Sequence, residues 1–197
     1  MVSWKQLIEN LDKHLDHEDI DEMRLLIYGS TERRINSLKR EFDNLNAESF
    51  DNEKYDVDID GYKDHLIDLM VNANNIKSLA DELSIMALFK SVELKISRVI
   101  DNKFKDNGKR TFYGKLKLIS GDDDVDKLDG YIAYNELRLI NNALKHEGMV
   151  TKELATAYPL WVEGEKLEHL DTTYARLLPH VKYFVSETVS KIYYLSA

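Results

Sequence analysis

YKDHLIDLMVNANNIKSLADELSIMALFKSVELKISRVIDNKF, residues 62–104, decides the fold. Leu66, Leu69, Met70, Ala73, Ile76, Leu79, Ala80, Leu83, Met86 and Ala87 recur at helical spacing. Phe89, Val92, Ile96, Val99 and Ile100 carry the same stripe onward. Apolar residues three and four apart line one face of a helix. A helix of about 40 residues spans about 60 Å at 1.5 Å per residue. Asn72, Asn74 and Asn75 are poor helix formers, and an interruption is expected there. Residues 20–48 keep the same period through Met23, Leu26, Ile27, Ile35, Leu38, Phe42 and Leu45, with a kink or break expected at Gly29–Ser30. Set against each other, the two stretches predict a long antiparallel helical hairpin.

Outward from that hairpin the pattern stays helical. Leu7, Ile8, Leu11 and Leu15 predict a short first helix over 3–15. Glu48–Gly61 is acidic and turn-rich and reads as a surface connection, residues 105–110 as a turn, Thr111–Ile119 as a short amphipathic piece, and Gly121–Asp129 as an acidic loop. A helix is expected over about 130–147, closed by Gly148. Thr151 caps a small helix to about Ala157, with no Glu or Gln three residues on to complete a capping box. Leu160–Leu170 alternates around Gly164 and predicts a small β-hairpin near 160–168. Residues 171–195 form the last helix, capped by Asp171 and kinked or split at Pro179. The expectation is one all-α domain over 1–197, a helical bundle with a long hairpin.

Composition narrows function by exclusion. A chain of 197 residues with 8 Gly, 2 Pro and 43% hydrophobic residues is an ordinary globular domain with a helical bias. The net charge of −9 disfavours a protein that coats long phosphate backbones. The absence of cysteine excludes disulfides, thiolate zinc sites and cysteine nucleophiles. No stretch approaches the roughly 20 apolar residues of a membrane span, and the start carries no signal-peptide pattern, so a cytoplasmic location is expected. No phosphate loop, dinucleotide fingerprint or nucleophile elbow occurs.

Several local patterns have bland readings. DVDIDG, residues 56–61, resembles the opening of a calcium loop at Asp56, Asp58, Asp60 and Gly61, but Ile67 stands where the bidentate Glu belongs. It reads as an acidic helix cap. His14 and His17, three apart, lack a third ligand and read as surface histidines. His65 reads as structural. The 11 tyrosines are scattered and read as core packing.

The segment NELRLINNALKHEG, residues 135–148, carries more. Arg138, Asn142 and His146 are four apart, so a cation, an amide and an imidazole stack along one side of the helix. Metal-free RNA cleavage needs a proton carrier near neutral pH, which His supplies, and a stabiliser of phosphate charge, which Arg supplies. The plain alternative is a core face of Leu137, Ile140 and Leu144, with Lys145 and His146 attracted to the helix C-terminus by its dipole.

INNALKHEG, residues 140–148, resembles the signature helix of the HEPN superfamily, helical domains of bacterial toxins and antiviral RNases. That pattern is an Arg, often followed by a polar residue such as Asn, then four to six residues, then His. Here four intervening residues lead back from His146 to Asn141 and six to Leu139, and Arg138 has seven residues between it and the His. The resemblance implies a HEPN-like core and an RNA-directed protein of a defence or toxin–antitoxin system. It would be either a metal-independent endoribonuclease or a non-cleaving relative. His146 would be the acid/base, Arg138 the phosphate stabiliser, Asn141 and Asn142 orienting residues, and Lys145 and Glu93 substrate contacts. It also implies a homodimer, a protein antitoxin or defence-system partner, no cofactor and no metal. The competing expectation is a non-enzymatic helical protein–protein interaction module, favoured by the negative charge.

Overall fold

The computed structural model describes residues 3–47, 58–104, 111–121, 124–146 and 148–196. Among them the chain is all-α: α1 (Trp4–Lys13), α2 (Glu18–Ala47), α3 (Ile59–Lys103), α4 (Phe112–Ser120), α5 (Tyr131–His146), α6 (Lys152–Ala157) and α7 (Leu170–Leu195). A 3₁₀ turn, Val125–Lys127, precedes α5. None of these helices is long and apolar enough to cross a membrane.

The helix starts follow their caps. Ser3 Oγ accepts the Gln6 N–H at 3.2 Å while Gln6 Oε1 accepts the Ser3 N–H at 2.9 Å, a reciprocal box that opens α1. Thr111 and Thr151 cap α4 and α6 through Gly114 N–H and Leu154 N–H. Gly148, at φ 66°, donates to the Ala143 carbonyl at 3.0 Å and closes α5.

Three expected interruptions and one expected hairpin take another form. α3 runs 45 residues straight through Asn72–Asn75, because Ala73 is buried and an asparagine costs only about half a kcal/mol in a helix interior. α2 continues through Gly29 and Ser30, followed by Thr31, whose hydroxyl donates back to the Ile27 and Tyr28 carbonyls. α7 continues through Pro179 rather than splitting there. Its cap is His169, at a left-handed φ of 54°, with Asp171 already in the first turn. The β-hairpin near 160–168 does not form. Gly164 takes φ 80° in a turn, and the following residues pair with Gly148–Val150 instead of with each other, through a single Met149–Lys166 bridge. The 48–57 connection and the 105–110 turn lie outside the described residues.

The chain falls into two compact units, Met1–Glu18 with Ser84–Ala197, and Asp19–Leu83. The second is the antiparallel hairpin of α2 with the first part of α3. Tyr28 donates to Asp81 and Tyr62 to Glu41, with Lys77–Glu32 at 3.6 Å between them. Ile59, Leu66, Ala73 and Ala80 are buried at seven-residue intervals, the repeat of a coiled-coil seam. A seam between two helices covers one narrow face of each. The stripe read from the sequence therefore divides, and Ile76, Leu79 and Leu83 stay exposed.

The first unit holds the main core. α5 and α7 pack antiparallel: Tyr134 stacks on Phe184 at 4.8 Å near one end, and Glu136 meets Arg176 further along. Val92, Ile96, Val99 and Ile100 of α3 and Leu116 and Ile119 of α4 are fully buried around this pair. Phe89 and Phe112 complete the aromatic cluster, 6.0 and 5.6 Å from Tyr134.

Candidate functional site

The middle of α5 carries Arg138, and the surroundings hold its guanidinium in place. Asn135, one turn earlier, accepts from Nε at 3.1 Å and from Nη2 at 3.0 Å. Glu153 of α6 accepts from Nη2 at 3.2 Å. Asn135 is itself fixed, donating to the Tyr158 hydroxyl at 3.2 Å, which donates to the Ile132 carbonyl at 2.6 Å. Nη1 has no bond to a described residue, so the fork keeps a free donor.

Arg138 borders a cavity of about 450 Å³, lined also by Glu93 of α3, Thr111, Phe112 and Tyr113 at the start of α4, and Tyr131 and Tyr134 of α5. Burial pushes the Glu93 carboxyl above its ordinary value, against the pull of Lys90 and Lys145. Burial also raises the Tyr131 and Tyr134 hydroxyls, and nearby Glu93 adds to the rise at Tyr134. These tyrosines stay neutral across physiological pH. The cavity thus presents a fixed cation, neutral phenols and aromatic faces to one space.

The predicted residues divide around this cavity. Arg138 and Glu93 share it. Lys145 lies two turns from Arg138 on the same side of α5, exposed, with its ammonium 5.6 Å over the Phe89 ring. Asn142 is half-buried between them. His146 is exposed at the end of the helix, about 12 Å along the axis from Arg138 at 1.5 Å per residue. Asn141, only 1% exposed, sits in the core, where neither its amide nitrogen nor its oxygen finds a partner among the described residues. Asn141 and Leu139, with four and six residues between them and His146, therefore both face inward.

Elsewhere the bland readings divide too. Asp58 accepts the Gly61 N–H at 2.8 Å and caps α3, while Asp56 lies outside the described residues. His65 is exposed against the Tyr62 ring, rather than part of the structural core. His14 and His17 both approach Glu18 Oε1, at 3.1 and 3.9 Å, and Lys182 donates to His17 Nε2 at 2.9 Å.

Sequence reasoning missed one buried polar cluster. Glu136, 6% exposed, accepts both forks of Arg176 at 2.7 and 3.0 Å and the Trp161 indole N–H at 3.0 Å. Its ion pair raises the Arg176 guanidinium further above its ordinary value. The available signal was a carboxylate in helical register with Ile140 and Ala143. Set against known proteins, the chain matches no family model, no curated sequence and no solved structure.

Proposed function

We propose that this is an RNA-directed helical protein of HEPN-like character, serving a bacterial defence or toxin system, that grips single-stranded RNA in the cleft at Arg138. The observation that supports this reading is the cavity itself, with an oriented guanidinium beside Phe112, Tyr113 and Tyr131. Arginine recognises phosphate through its planar fork, and bases stack on aromatic faces for about 1–3 kcal/mol each. A cavity of about 450 Å³ lies within the size range of ligand pockets. The charge of −9 favours a short contact over a long backbone track.

Cleavage is a separate matter. In one chain Arg138 and His146 stand too far apart along α5 to act on the same phosphate. A cleaving form would take His146 from a second copy, with Asn142 orienting the phosphate, and the single chain favours the non-cleaving relative. Fluorescence anisotropy with labelled single-stranded RNA in EDTA tests the binding. Arg138→Ala is expected to weaken affinity about tenfold, the loss of one charge-assisted contact, and His146→Ala to leave it unchanged. Absence of RNA binding, or an Arg138→Ala variant equal to the parent, sinks the reading. Metal-free cleavage lost in both variants would instead support the two-copy nuclease.

A second reading rests on α1. Trp4, Leu7, Ile8 and Leu11, at i, i+3, i+4 and i+7, form an apolar face left in water, with Trp4 74% exposed. Such a face fits the groove of a protein partner. Trp4→Asp with Leu11→Asp should abolish that partner's binding while leaving the melting temperature within about 2 °C, because these two side chains are mostly solvated already. Binding that survives both changes removes α1 from consideration.

A further inference from the structure

We propose that His14 and Asp16, in the connection between α1 and α2, and Glu18, the first residue of α2, form a site for a divalent cation of zinc's class. His14 Nε2 lies 3.1 Å from Glu18 Oε1 and 4.0 Å from Asp16 Oδ1, and one ligand atom from each of the three falls within 4.8 Å of the others. Tetrahedral zinc, with bonds of about 2.0–2.2 Å to nitrogen and oxygen, sets its ligands about 3.4 Å apart. Side-chain rotations that move the ligand atoms by up to about 1.4 Å bridge the difference from the 4.8 Å limit. All three side chains are free to make them, since each is about half or more exposed.

The arrangement is more than a chance meeting of acidic groups. Each carboxylate spends one oxygen on the protein and turns the other toward the imidazole. Asp16 Oδ2 is held by Lys95 Nζ at 3.3 Å, and that buried ammonium also bonds the Leu11 carbonyl at 3.3 Å. Glu18 Oε2 accepts the His17 N–H at 2.9 Å. Its carboxyl is held down to about 2 by backbone N–H groups of Glu18 and His17, so it is ionised throughout the physiological range. Leu15, 1% exposed, pins the loop between them. His17, the residue that sequence spacing pairs with His14, is instead engaged by Lys182.

One imidazole and two carboxylates, open to water on the outside, are the donor set of an open zinc, cobalt or nickel site. Magnesium and calcium ask for all-oxygen shells of six or more ligands.

Isothermal titration of the metal-stripped full chain with zinc chloride tests the proposal. The parent is expected to bind one zinc, with EDTA reversing it and magnesium giving no heat. His14→Ala and Asp16→Asn are each expected to weaken zinc at least about tenfold, whereas His146→Ala retains it. The exposure of His14 and Asp16 keeps the variants folded, which circular dichroism checks. Zinc binding unchanged in His14→Ala, binding lost in His146→Ala, or no saturable binding by the parent each overturns the assignment.

Discussion

Gly130→Ala lowers the melting temperature by about 5–15 °C, the largest fall expected from removing a single backbone freedom in this molecule. Gly130 takes φ 76°, which costs an L-residue about 1–2 kcal/mol. A Cβ there would stand 2.9 Å from Phe184 Cα and 3.0 Å from its backbone nitrogen. Those are main-chain atoms in the middle of α7, so no side-chain rotation relieves the contact. Forcing the helices apart adds roughly 1–3 kcal/mol. Phe184 is stacked on Tyr134, so the displacement also loosens the aromatic cluster beneath the Arg138 cleft. Differential scanning calorimetry reads the change directly. A Gly130→Ala protein melting within 2 °C of the parent would mean that α5 and α7 do not approach this closely.

Glu136→Ala is expected to destabilise the first unit by about 2–4 kcal/mol. Three charge-assisted bonds disappear together, two from Arg176 and one from Trp161. The estimate stays below the cost of a fully buried pair, because Arg176 is 46% exposed and can turn its guanidinium to water. Glu136→Gln keeps the shape and one acceptor and should lose about half as much. Urea unfolding of Glu136→Ala, Arg176→Ala and the double variant gives the coupling directly, and about 1–3 kcal/mol is expected. Additive losses would mean the pair is not formed in solution. RNA affinity should stay unchanged in all three after correction for the folded fraction, since the pair lies outside the Arg138 cavity.

Much of the architecture was legible because helices are local objects. Thr151 and Gly148 acted as caps where their chemistry said they would, and the 3.6-residue period located every long helix. The misreadings share one cause, the weighing of a local preference against a packing term that sequence does not display. Asn72–Asn75, Gly29 and Pro179 weaken a helix by amounts that the surrounding turns absorb. The alternation at 160–168 was real, but its backbone partner was the distant strand-like segment at 148–150.

The site was legible to the same extent. Its residues on α5 could be placed on one side by counting. Which of them open to a cavity could not, because that depends on α3 and α4. Asn141 shows the limit most clearly: its neighbour Asn142 lies partly toward solvent, while Asn141 itself turns into the core. The partnerships of His14 with Glu18, within one short connection, and of Glu136 with Arg176, 40 residues away, show how reach along the chain decides what counting can find.

The order of the chain bears on how the molecule comes into being. The unit that holds the main core is discontinuous, built from residues 1–18 and 84–197 with the hairpin inserted between. On the ribosome, α1 and the whole hairpin emerge before Phe184, Val185 and Val189 of α7 have been made, and these fully buried residues close the core. Until then Val92, Ile96, Val99 and Ile100 have no lasting cover. The nascent chain therefore carries a long helix with an incompletely covered apolar stripe through nearly half of its synthesis, the interval in which chaperone binding would matter most.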